Sequence, residues 1–158
     1  MKNKISRRSF LAAAAVSAAA LAVTGCDAKT SKKAVTDITV WNYYNGDQLE
    51  SFNRLVSTFN ETIGKAKGIR VSGSSQGTVN DLEANVMDAA EGKVGSAEMP
   101  TIFAAYADTA YKLDQMGMVV DLKDYLTEDE KAAFVPGYIT EGDFDGSGSI
   151  KIFPVAKS

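Results

Sequence analysis

The apolar positions of this chain alternate between two periods from residue 37 onward. Ile38-Thr39-Val40-Trp41 is a short β-branched and aromatic run and predicts a strand. From Asp47 to Thr62 the apolar residues are Leu49, Phe52, Leu55, Val56 and Phe59, whose spacing places them on one face of a helix. Asp47 is positioned to cap that helix and Gly64 to end it. A second strand follows over Gly68 to Ser75, then a helix from Thr78 to Glu91 with Leu82, Val86 and Ala89 or Ala90 facing inward and Thr78 or Asn80 as its cap. Thr101 to Ala105 predicts a third strand, and Asp108 to Met116 a third helix stopped by Gly117.

The pattern loosens after Gly117. Met118 to Asp121 predicts a short strand, and Leu122 to Leu126 a helical turn. Thr127-Glu128-Asp129-Glu130 reads as a capping box opening a helix to about Phe134. Pro136 to Glu141 is a further turn or helix, and Phe144 with Ile150 to Phe153 reads as a hairpin around a glycine-rich turn. Strand and helix alternate three times, which predicts βαβ units and a mainly parallel sheet. Ligands of such sheets gather outside the carboxyl ends of the strands. Here those ends are Asn42 to Gly46, Gly73 to Gly77 and Tyr106 to Asp108. Trp41 ends a β run and reads as core rather than pocket.

The N-terminal pattern differs. Lys2, Lys4, Arg7 and Arg8 precede an uncharged, alanine-rich run from Phe10 to Val23, and small residues follow. This is the grammar of a secretory signal, and the run is too short for a transmembrane helix. Val23-Thr24-Gly25-Cys26 resembles a bacterial lipobox, which implies that the sulfur of Cys26 carries a lipid and that Cys26 becomes the new N-terminus. Cys26 is the chain's sole cysteine, so no internal disulfide forms. Ser6 to Leu11 also resembles a twin-arginine export motif, which leaves the export route open between two pathways. Residues 27–36 read as a flexible tether. The expected organisation is a signal peptide at 1–25, a lipidated cysteine and tether at 26–36, and a folded body at 37–158.

Composition removes several functions. Four of the 17 basic residues lie in the first 25 positions with no acid, so the 133 residues from Cys26 carry 13 basic and 20 acidic side chains, a net charge of −7. A nucleic-acid partner is excluded, because phosphate binding needs a basic patch. Histidine is absent, which removes imidazole bases and the commonest zinc ligand. No cofactor or metal is implied. Asp143-Phe144-Asp145-Gly146-Ser147-Gly148-Ser149-Ile150 resembles the start of a calcium loop, but Pro154 stands where a bidentate Glu belongs, and a polar turn is the preferred reading. Asp143 and Asp145 as a glycosidase pair lack any feature that raises a pKa. An adhesion lipoprotein would need an interaction patch, and no repeat suggests one.

Ile38 to Trp41 before a helix, the strand at Gly68 to Val71, Met99-Pro100-Thr101-Ile102-Phe103 with Tyr106, Met118 to Leu122, and Ile152 to Ser158 together resemble the first lobe of a bacterial extracellular solute-binding protein of family 1, the carbohydrate and glycerol-3-phosphate branch. The resemblance implies a periplasmic-binding-protein-like α/β lobe with a mainly parallel sheet flanked by helices. It implies a monomeric, non-enzymatic receptor, anchored through lipid to the outer face of the cytoplasmic membrane. Such a receptor captures a small solute, here a sugar, for the permease subunits of an ABC importer. Members of this family are more than twice as long, so most of the second lobe is expected to be absent and the chain to be a truncated product. Tyr43, Tyr44, Gln76, Tyr106, Asp108 and Ser158 are the candidate ligand residues, aromatic rings for sugar C–H faces and polar groups for hydroxyls. In the glycerol-3-phosphate receptors a tyrosine opens the second helix, where this chain has Thr78. This departure favours carbohydrate over a glycerol phosphate.

Overall fold

The computed structural model describes residues 34–155. The expectations for the signal, for Cys26, for the tether up to residue 33 and for Ser158 lie outside the described residues; Thr36, expected as the last tether residue, instead opens the first strand, its N–H donating to Gly68 O at 2.8 Å. Three parallel strands, β1 (Thr36–Asn42), β2 (Ile69–Ser75) and β3 (Ile102–Phe103), form a sheet in the order β2-β1-β3. β1 pairs with β2 from Thr36↔Ile69 to Asn42↔Ser75, and with β3 at Val40↔Ile102 and Trp41↔Phe103. The chain leaves β1 for one neighbour and then returns to its other side, so the strand order reverses at β1. That reversal is the switch point at which open α/β sheets place ligands.

Helix α1 (Gly46–Phe59) joins β1 to β2, α2 (Val79–Ala90) joins β2 to β3, and α3 (Ala107–Gln115) follows β3. Successive side chains of a strand point to opposite faces. On one face Gly73, across from Val40, lies under the ring of Phe52 from α1. On the other, Trp41 packs with Leu82 and Val86 of α2 and Leu113 of α3 into the buried core. Burying each such side chain contributes about 1.5–3 kcal/mol.

Local chemistry sets the helix ends. Thr78 accepts from the Asp81 N–H while the Asp81 carboxylate accepts from the Thr78 N–H, a complete capping box. Gly117 at φ 71 ends α3 with bonds from Gly117 N to Asp114 O (2.8 Å) and Met118 N to Leu113 O (3.0 Å), a Schellman motif. Thr127 and Glu130 close the expected capping box on α4 (Glu128–Ala132), and α5 (Pro136–Ile139) starts on its proline.

Several expectations are corrected. Asp47 does not cap α1; Asn45 holds the cap position, and Asp47 sits in the first turn behind Gly46 at φ 48. Gly64 does not end the helix. The helix runs on through a π turn (Asn60–Gly64) and a last turn (Lys65–Lys67) to Gly68 at φ 71. Gly64 is instead the point of closest approach, since a Cβ there would lie 2.6 Å from Ile69 O. The π turn also brings Asn60 to β2, where its amide pairs with both the N–H and C=O of Val71 at 2.8 Å. Leu55 lies off the packed face, 69 % exposed. Met118 to Asp121 forms no strand, because Asp121 Oδ1 takes the N–H groups of Lys123 and Ile150 at 2.9 Å in place of a ladder. The hairpin at 144–153 is likewise a loop, drawn around the Asp143 carboxylate by the N–H groups of Gly148 and Ser149.

Candidate functional site

The three strand ends are tied into one edge. Gln76 N donates to Asn42 O (2.8 Å), and Ala104 N donates to Trp41 O (3.0 Å), so the loops after β2 and β3 both bond to the end of β1. Ser75 Oγ donates to Tyr44 O at 2.8 Å, a second tie between the first two loops. Below this edge Thr109, buried, donates from Oγ1 to Glu83 Oε1 at 3.1 Å and joins α3 to α2.

The candidate residues divide into exposed and supporting groups. Tyr43, after β1, is 36 % exposed, and Tyr106, at the cap position of α3, is 54 % exposed. Tyr44 is half-buried between two rings, 5.5 Å from Tyr43 and 5.6 Å from Phe52 between centroids, so it supports Tyr43 more than it faces outward. Gln76 is half-buried with both ends of its amide engaged, accepting from Asn85 Nδ2 (3.1 Å) and donating to Ser74 Oγ (2.9 Å). One hydrogen and one lone pair remain on it. Asp108 is exposed in the first turn of α3. Two exposed rings thus stand at the ends of the neighbouring strands β1 and β3, with polar groups beside them.

Asn42 is a residue that sequence reasoning missed. It ends the central strand, only 2 % exposed, with Oδ1 accepting from Tyr44 N at 3.0 Å. Its Nδ2 is the one buried side-chain polar atom among the described residues without a hydrogen-bond partner. The available signal was an amide directly after a β-branched and aromatic run, where an apolar residue would otherwise continue the strand.

The electrostatics of the edge are one-sided. Asp47, Asp81 and Asp108 lie in the first turns of α1, α2 and α3, and the loops at 42–48, 74–81 and 104–109 contain no Lys or Arg. The Asp81 carboxyl is held below its usual range by the hydroxyl and N–H of Thr78, so it stays ionised. Among the described residues no group of three or more His, Cys, Asp or Glu can hold a metal ion. In the glycine-rich loop, the Asp145 carboxyl is pushed down by Ser147, opposite to the direction a general acid needs. A small hollow lined by Lys131, Thr140, Asp143 and Ser149 shares no residue with the three strand-end loops.

No protein-family profile matches the chain, and no curated protein matches it. Solved structures do. The cyclic alpha-maltosyl-1,6-maltose binding protein from Arthrobacter globiformis is 20 % identical with a TM-score of 0.58, over 71 % of this chain and 27 % of that one. CpMnBP1 with mannotriose bound is 15 % identical, TM-score 0.54, over 73 % and 27 %. A family 1 extracellular solute-binding protein from Bifidobacterium longum subsp. infantis is 16 % identical, TM-score 0.53, over 75 % and 27 %. The chain has the fold of a solute-binding-protein lobe. It spans about a quarter of the length of these neighbours, two of which are sugar-binding proteins by name or bound ligand. The expected α/β lobe with a parallel, helix-flanked sheet is the fold observed.

Proposed function

We propose that this chain supplies the sugar-contacting edge of an extracellular carbohydrate receptor. The observation that carries the reading is the pair of exposed rings, Tyr43 and Tyr106, at the ends of adjacent parallel strands where the strand order reverses. Aromatic faces stack on the apolar C–H faces of a pyranose, while Asp108 and the free valences of Gln76 suit hydroxyls. Ser158 completes the set as the sequence resemblance implies. The fold shared with sugar-binding proteins supports the same reading. Binding without turnover is the expected chemistry, with no cofactor.

The cellular setting is part of the proposal. Export through the signal at 1–25, a lipid on Cys26, a tether between Cys26 and β1, and delivery of the sugar to the permease of an ABC importer form one consistent scheme. Two lipid chains hold a protein stably on a membrane.

Binding is tested by thermal shift and calorimetry of the whole chain against maltotriose, mannotriose and glycerol 3-phosphate. A ligand at 100 times its dissociation constant adds about 2.7 kcal/mol of stability. A shift with a trisaccharide, weakened about fivefold to tenfold by Tyr43→Ala or Tyr106→Ala, supports the reading. A response to glycerol 3-phosphate alone moves the substrate to the phosphate branch, and no response to any of the three defeats the reading. Mass spectrometry of Cys26 and membrane release on Cys26→Ser test the anchor.

A further inference from the structure

We propose that Asp47 and Asp108 act as a charge filter at the strand-end edge, so that it admits uncharged or cationic sugars and rejects anionic ones. The use of this edge as a sugar site rests on the receptor reading above; the filter itself rests on the arrangement of charge.

Three helices, α1, α2 and α3, begin at this edge. A helix N-terminus carries roughly half a positive charge and several free N–H groups, which makes it a seat for phosphate or carboxylate. Neither Asn45 nor Tyr106 contributes a side-chain capping bond, so the first-turn donors of α1 and α3 are not capped by side chains. An edge of this kind would attract anions if nothing opposed them. Here each first turn carries its own carboxylate. Asp81 is spent on Thr78, whereas Asp47 and Asp108 are exposed with no side-chain partner among the described residues. No Lys or Arg in the three loops counters them. The positive helix ends are therefore already neutralised, and a second anion meets like charge.

A separate feature marks the same edge as one that expects an acceptor. The Asn42 amide that holds the Tyr43–Asn45 loop leaves Nδ2 unpaired beneath it. A buried donor without a partner is destabilising, and a neutral oxygen from a hydroxyl or a carried water satisfies it as the loop adjusts. A hydroxyl-rich neutral ligand meets both conditions; a phosphorylated or uronic-acid sugar meets only the second.

The test follows amide shifts of the full chain, 15N-labelled in detergent micelles, during titration with inorganic phosphate. The native chain is expected to show no saturable shift at residues 46–49 and 107–110 at millimolar phosphate. Asp47→Asn combined with Asp108→Asn should gain one, with affinity raised about tenfold or more. Asp47→Glu combined with Asp108→Glu keeps the charge and should gain nothing, which separates charge from structure. The indole signal of Trp41 and the Thr78–Asp81 cap report that the variants keep the fold. Phosphate binding at these amides in the native chain, or no gain in the Asn variant, overturns the filter. If maltotriose, mannotriose and glucosamine all fail to bind while the Asn variant gains phosphate, the receptor reading falls and only the rejection of anions by Asp47 and Asp108 stands.

Discussion

Gly73→Ala tests the link between the sheet and the site. Gly73 sits in β2 opposite Val40, and a methyl group there would overlap the Phe52 ring, with further approaches of 3.3 Å to Cδ1 and Cζ. Phe52 is half-buried, so its ring can swing toward solvent rather than break the sheet. Overpacking of this kind costs about 1–3 kcal/mol, and the mobile ring argues for the lower half. Replacing a strand glycine returns about 0.5–1 kcal/mol through the unfolded chain. The net loss is then about 1 kcal/mol, or roughly 4 °C in Tm for a body of this size. The swinging ring also withdraws support from Tyr44, and through Tyr44 from Tyr43. Urea unfolding followed by the fluorescence of Trp41, the chain's one tryptophan, measures the loss. Phe52→Leu removes the edge of the ring that meets the new methyl. In that background Gly73→Ala should be neutral or stabilising by about 0.5 kcal/mol. Equal losses in both backgrounds would refute the packing of Phe52 on Gly73 and the support it gives the tyrosines.

Other expectations follow from single features. Leu113, fully buried among Trp41, Leu82 and Val86, should lose about 3 kcal/mol of stability as Leu113→Ala, measured by urea midpoint. Gly117→Ala forces a Cβ into the left-handed region at the end of α3 and should lose about 1–2 kcal/mol by the same assay. The Lys151–Asp114 pair at 3.2 Å is only 21 % and 20 % exposed, so Lys151→Met should destabilise more at low than at high salt; equal losses would show the pair to be inert. The Asp121 carboxyl is held down by the N–H groups of Ile150 and Lys123, so its folded pKa lies below its unfolded one. Its stabilisation is present above the unfolded pKa and is lost as pH falls through the folded value. Asp121→Asn should therefore flatten the acid limb of a stability–pH profile, and an unchanged limb would count against that assignment.

The fold was legible where period and punctuation agreed. Ile38 to Trp41, Thr78 before the second helix, and Gly117 after Met116 each carry a local signal whose physics is complete within a few residues; the strand and the stop appear as expected, and of the two caps offered, Thr78 and Asn80, Thr78 is the one used. The errors fall where a side chain replaces a backbone partner. Asp121 and Asp143 each accept two backbone N–H groups, which turns an apparent strand and an apparent hairpin into bonded loops. Gly64 reads as a stop by composition, yet its role is to let Ile69 O pass close by, a requirement set by a residue beyond the helix. Leu55 fits the helical period but is left 69 % exposed.

The same distinction explains what could be read of the site. Tyr43, Gln76, Tyr106 and Asp108 follow strand ends, so the strand assignment alone brought them to one edge. Their division of labour depends on contacts between elements, and those are invisible in the sequence. The Tyr44 ring is set apart from that of Tyr43 by its neighbour Phe52, and Phe52 has room to lie there because a glycine stands on another strand. Asn42 is buried because β1 is central, and β1 is central because β3 returns to its far side. A polar amide at that position has one end committed to shaping the Tyr43–Asn45 loop and the other waiting for an acceptor. Replacing it by leucine would fill the strand end with apolar surface but release the Tyr44 N–H. Stability would then change little while sugar binding falls, since the loop that presents Tyr43 loses its anchor. A variant that loses stability and keeps binding would show that Asn42 serves the core and not the site.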